Sequence, residues 1–79
     1  MAAKTIQAPF PGTFYRRPSP EADPYVSEGD TVNPGDVVGL IEIMKNFHEV
    51  LADERGVVDS FLVLDEDLVE AGQALMALA

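Results

Sequence analysis

An all-β fold, a small sandwich or barrel made of two related halves, is predicted for this 79-residue chain by three observations. The chain repeats itself at a constant spacing. Its apolar residues fall in short β-branched runs, with no helical stripe of useful length. Breaks rich in glycine and proline recur between those runs. The repeat sets residues 26–42, VSEGDTVNPGDVVGLIE, against residues 63–79, VLDEDLVEAGQALMALA, at an offset of 37 with no gap. Val26 falls on Val63, Asp30 on Asp67, Val32 on Val69, Gly35 on Gly72, Val38 on Leu75 and Ile41 on Leu78. Such agreement marks two copies of one structural unit.

Taken in order, the elements follow from local chemistry. Gly12-Thr13-Phe14 and Gly56-Val57-Val58 open the two copies with a glycine and β-type residues, 44 positions apart rather than 37. The first copy therefore holds seven extra residues, and the densest turn chemistry places them at residues 17–23, with Pro24 following. Gly29-Asp30 marks a turn. Pro34-Gly35 suits the centre of a type II turn, where proline sets the first φ and glycine accepts a positive second one. Gly72 occupies the matching place. Residues 37–43 and 47–51 read as two strands separated by a tight break, and Arg55-Gly56 marks a further turn. The domain spans 1–79, with half-repeats at 5–42 and 49–79. Phe10, Phe14, Phe47 and Phe61 are assigned to the core or its rim.

The two copies join at Glu42-Ile43-Met44-Lys45-Asn46-Phe47-His48-Glu49-Val50, a hairpin whose two-residue turn is Met44-Lys45 or Lys45-Asn46. Either register puts Lys45 at the tip with its amine in water. Lys4 is the only other lysine and is assigned to a loose terminus. An amine on a four-carbon stem at a rigid tip suits a carrier, because a tethered group must reach more than one catalytic centre.

Composition excludes other chemistry. With no cysteine there is no disulfide, zinc–thiolate site or thiol catalysis. Five basic residues against fourteen acidic ones give a net charge of -9, the wrong sign for reading a nucleic-acid backbone or an anionic membrane. The chain lacks an apolar run long enough for a membrane span and a basic, apolar leader at its start. His48 has no second histidine, so no metal site is expected. Glu42 and Glu49 are too sparse for glycosidase chemistry, and no nucleophile, base and orienting group can be assembled for a hydrolase.

At the hairpin the chain resembles the biotinyl domains, whose Glu-Ala-Met-Lys-Met signature is similar to Glu42-Ile43-Met44-Lys45 here. Ile43 stands where that family has alanine, and Asn46 where it usually has methionine. The lysine lies 34 residues before the last, as in the family. Gly12-Thr13-Phe14-Tyr15-Arg16, Pro18-Ser19-Pro20 and Val32-Asn33-Pro34-Gly35-Asp36 are similar to carriers of the bacterial acetyl-CoA carboxylase type. The resemblance implies a flattened eight-stranded barrel-sandwich hybrid of two pseudo-symmetric halves. It implies a thumb, Pro18, Ser19, Pro20, Glu21, Ala22 and Asp23, lying near the cofactor.

The resemblance further implies a non-catalytic carrier. Biotin is joined to Lys45 by biotin protein ligase, with Met44, Glu42 and Asn46 framing the attachment site. The biotin takes carboxyl from a biotin carboxylase and passes it to a carboxyltransferase. Acetyl-CoA carboxylation for fatty-acid synthesis, in the cytoplasm or a plastid stroma, is the implied setting. Two alternatives stay open, a lipoyl carrier and an unmodified β-barrel adaptor. Lipoyl domains normally carry aspartate where Met44 stands. Full carriers of this type usually have an extension before the barrel, so the chain is expected to be an excised domain or a naturally short carrier.

Overall fold

The computed structural model describes residues 4–79. It contains eight strands: β1 Lys4–Gln7, β2 Gly12–Tyr15, β3 Thr31–Val32, β4 Val37–Ile43, β5 Asn46–Leu51, β6 Gly56–Phe61, β7 Leu68–Val69 and β8 Ala74–Leu78. They form two four-stranded antiparallel sheets, ordered β1-β8-β6-β3 and β5-β4-β2-β7. Two expectations change. Lys4 is not in a loose terminus, because β1 pairs Lys4 with Leu78 and Ile6 with Met76. Burial of Ile6 in the core supplies the reason that this end is held. Phe47 is 58% exposed and belongs to neither core nor rim.

The pseudo-two-fold exchanges the sheets. It carries β1 onto β5, β2 onto β6, β3 onto β7 and β4 onto β8, so one strand order maps onto the other. Hydrogen bonds repeat with it. Gly35 N–H donates to the Ala52 carbonyl at 2.9 Å, and Gly72 N–H donates to that of Ala8 at 2.8 Å. Each sheet draws strands from both halves, so neither half owns a complete sheet. The core repeats in pairs as well: Ile6 with Val50, Ala8 with Ala52, Val32 with Val69, Val38 with Leu75, and Ile41 with Leu78.

Acidic and amide side chains close the turns. Asp30 N–H donates to the Ser27 carbonyl at 3.0 Å while its carboxylate accepts from Ser27 N–H at 2.9 Å. The same reciprocal clasp joins Asp36 to Asn33, Asp67 to Leu64 and Gln73 to Glu70. Part of the acidic surplus is therefore structural, since each carboxylate satisfies a main-chain donor that the turn leaves free. Gly35 and Gly72 have φ of 92° and 83°, as a type II turn requires at its third position. No helix among the described residues is long and apolar enough to cross a membrane.

Candidate functional site

The β4–β5 hairpin settles the turn register. Ile43 pairs with Asn46, leaving Met44-Lys45 as a two-residue loop with φ of 50° and 68°. Two positive φ values define a type I′ turn, whose twist matches that of the flanking strands. Neither residue is a glycine or asparagine, so each left-handed conformation costs on the order of 1 kcal/mol, offset by the paired strands below. The pairing runs unbroken from Gly39 opposite Val50 to Ile43 opposite Asn46. Met44 is 88% exposed, and Lys45 and Asn46 are exposed beside it. Among the described residues the Lys45 side chain makes no hydrogen bond or ion pair.

Below the tip, Glu42 is half-buried on β4 between Thr13 of β2 and Phe47 of β5. It accepts a hydrogen bond from the Tyr15 hydroxyl at 3.0 Å. Donation to Glu42 holds the Tyr15 phenol above its ordinary range. Desolvation and the negative charges of Glu42, Glu66 and Asp65 act in the same direction. The Tyr15 and Phe47 rings lie 5.8 Å apart, tilted by 55°. Glu42 thus supports the aromatic surface beneath the hairpin.

The segment expected to form a thumb is a closed loop. Tyr25 N–H donates to the Arg16 carbonyl at 2.8 Å across its base, and Ala22 N–H to that of Ser19 at 3.1 Å near its end. Arg17 Nη1 donates to the Ala22 carbonyl at 3.3 Å, bracing the loop from inside. Arg16 N–H donates to Asp65 Oδ1 at 2.8 Å, and the Arg16 guanidinium lies 3.8 Å above the Phe61 ring. Pro18, Ser19, Pro20, Glu21 and Asp23 are exposed, with Ala22 half-buried.

The loop and the hairpin share a groove of about 330 Å³, lined by Tyr15, Arg17, Pro18, Ser19, Pro20, Phe47, Asp65 and Glu66. Phe47 enters it from two residues beyond Lys45. Sequence reasoning missed Arg17, Asp65 and Glu66 as site residues, because Asp65 and Glu66 arrive only through the pairing of β7 with β2. A larger cleft of about 480 Å³ between β1 and β5 contains none of the expected site residues. The smaller groove is the one beside the hairpin, since Phe47, two residues beyond Lys45, lines it. Among the described residues no group of three His, Cys, Asp or Glu side chains is placed to hold a metal ion.

Comparison with known proteins agrees with this geometry. The chain is 37% identical over 78 residues to the biotin carboxyl carrier protein of acetyl-CoA carboxylase from Haemophilus influenzae, covering 99% of this chain and 50% of that protein. It is 43% identical over 70 residues to the protein of the same name from Chlamydia trachomatis, covering 89% of this chain and 43% of that one. The chain spans about half the length of the curated relatives it matches. Among solved structures, the Kluyveromyces lactis urea carboxylase superposes with a TM-score of 0.77 at 29% identity, over 100% of this chain and 6% of that one. A single-chain, multi-domain long-chain acyl-CoA carboxylase shares the fold, with a TM-score of 0.76 at 22% identity. The profile of the Biotin_lipoyl family, described as "Biotin-requiring enzyme", matches residues 4–78, and the chain belongs to that family.

Proposed function

We propose that this chain is a biotin carboxyl carrier domain, with biotin joined by an amide bond to Nζ of Lys45. The observation that carries this reading is the lysine itself. It stands exposed, and unpaired among the described residues, at the tip of a two-residue type I′ turn, at the junction of the two half-repeats. The residues present fit the group. The amine is open to an activated acyl donor. An aromatic floor of Tyr15 and Phe47, with a wall of prolines, lies within the same face. When attached, the biotin supplies a ring nitrogen that accepts and yields carboxyl. The chain supplies position. The hairpin holds the anchor rigidly outward, Glu42 orients Tyr15, and the thumb (residues 17–23) screens one side of the groove.

In this reading the domain performs no catalysis of its own. A biotin carboxylase loads the ring, and a carboxyltransferase unloads it to an acyl-CoA, with acetyl-CoA in fatty-acid synthesis as the favoured acceptor. Biotin protein ligase attaches the cofactor. The cytoplasm, or the plastid stroma, is the compartment that this assignment favours. Met44, Glu42 and Asn46 frame the lysine for the ligase, and Met44 in place of an acidic neighbour supports biotin over lipoate.

The test is intact-mass measurement of the apo domain incubated in parallel with biotin protein ligase and lipoate ligase. One biotinyl group should be added at Lys45. Lys45→Arg should abolish it, because a guanidinium is almost never deprotonated and does not take over the acylation. Faster lipoylation would favour the lipoyl carrier. Modification by neither ligase would favour an unmodified adaptor.

A further inference from the structure

The groove between thumb and hairpin has a charge as well as a shape. Among the described residues Arg17 is the single cation lining it, against the carboxylates of Asp65 and Glu66. That cation is turned inward, with one hydrogen bond through Nη1 and a buried Nε that has no hydrogen-bond partner among the described residues. Its Nη1 donates to the Ala22 carbonyl at 3.3 Å, and its Nε lies 4.0 Å from Asp65 Oδ2. Glu42 adds a third carboxylate behind the floor, where it accepts the Tyr15 hydroxyl proton in a hydrogen bond. The phenol therefore offers its donor to Glu42 rather than to a ligand. The lining itself carries one positive and two negative groups, a net charge of one negative, and Glu42 behind the floor adds to it. The hydrogen bond to Glu42, and desolvation after it, hold the Tyr15 phenol above its ordinary range, with the charges of Glu42, Glu66 and Asp65 acting in the same direction.

Resting on the reading that Lys45 carries biotin, we propose that this groove sorts the two charge states of the tethered ring. It holds the neutral cyclic urea against Tyr15, Phe47 and the prolines, and it expels the ring once a nitrogen bears a carboxylate. A neutral bicyclic ring gains apolar contact without a charge penalty. The carboxylated ring brings an anion into a partly desolvated space that is already negative, where Coulomb repulsion is stronger than in bulk water. Loading then favours the extended arm, and unloading favours the docked one. The repulsion of one added charge should shift the docked population by about fivefold to tenfold at low salt, and less at high salt as screening rises.

The experiment compares backbone amide shifts of Ser19, Phe47 and Glu66 in three forms of the ¹⁵N-labelled domain: apo, biotinyl and N-carboxybiotinyl. The last is maintained by catalytic biotin carboxylase with ATP and bicarbonate. Biotinylation should move these amides, and carboxylation should return them most of the way. In an Asp65→Asn/Glu66→Gln domain the ring should stay docked in both states. Asparagine keeps a side-chain oxygen to accept the Arg16 N–H. The proposal is overturned if the carboxylated ring keeps its shifts in the unaltered domain, or if the double variant releases it equally. Biotin present by mass but moving no groove amide would also overturn it, leaving the carrier reading intact. No incorporation of biotin at all would remove both.

Discussion

Lys45 and Gly39 show how a single position can serve either function or packing. Lys45 is exposed, and among the described residues its side chain makes no hydrogen bond or ion pair, so the role proposed for it rests on reach rather than packing. Gly39 is buried on β4, and a Cβ there would lie 2.5 Å from Phe14 Cε1 and 2.9 Å from the Tyr15 carbonyl oxygen. The Phe14 ring occupies the space a side chain would need. The two-fold-related pair solves the same volume the other way, with the smaller Val58 and the larger Met76, both buried. Gly39→Ala should therefore destabilise the domain by about 1–3 kcal/mol through overpacking. Adding Phe14→Leu should recover part of that loss, a coupling that a double-mutant cycle by thermal unfolding will measure. Additive losses would show that the ring and the glycine are independent.

Among the elements, the hairpin and the thumb make separable demands. Met44 has a φ of 50° and is 88% exposed, so it contributes conformational cost and almost no packing. Met44→Asn should raise stability by a few tenths to about 1 kcal/mol, because asparagine tolerates the left-handed region. Biotin incorporation should slow, since the side chain next to the lysine is proposed to be read by the ligase. Thermal unfolding and ligase rates will check the two directions, and a fall in melting temperature would contradict the first. The thumb closes on itself through the Tyr25–Arg16 hydrogen bond at its base, outside residues 17–23. Replacing those residues with a short glycine-containing turn should leave a folded domain, within about 1 kcal/mol of the original. Ligase modification should continue, because the tip is untouched. Carboxyl transfer between partner enzymes should change, because one wall of the groove is gone. A folded, fully biotinylated deletion with unchanged flux would reduce the thumb to an ordinary surface loop.

Across the whole molecule, strand exchange between halves makes folding indivisible. Within residues 4–43, only β2 and β4 pair with each other; β1 depends on β8 and β3 on β6. Two adjacent strands cannot bury a core alone. Fragments cut between Met44 and Lys45 should each lack β structure by circular dichroism, and mixing them should restore it. A folded single fragment would mean that the halves are independent units. Such long-range pairing, from Lys4 opposite Leu78 inward, also predicts slow folding for the chain's size.

By itself the sequence determined what short-range chemistry controls. The 37-residue repeat, the positive-φ glycines and the strand at residues 37–43 follow from side-chain volume and backbone sterics at each position. So does the exposed lysine between the copies. The turn register did not follow. Met44-Lys45 and Lys45-Asn46 loops differ by two residues in pairing, so both keep the same side chains facing inward. Tertiary packing chose between them by seating Val50 opposite Gly39 and tying Ala52 to the Pro34-Gly35 turn through Gly35 N–H and Asp36 O. Only the folded chain could bring Asp65 and Glu66 beside Phe47, because β7 reaches the groove through β2 rather than through its sequence neighbours. Local sterics act within a few residues, whereas the pairing of distant strands is selected by burying one shared core.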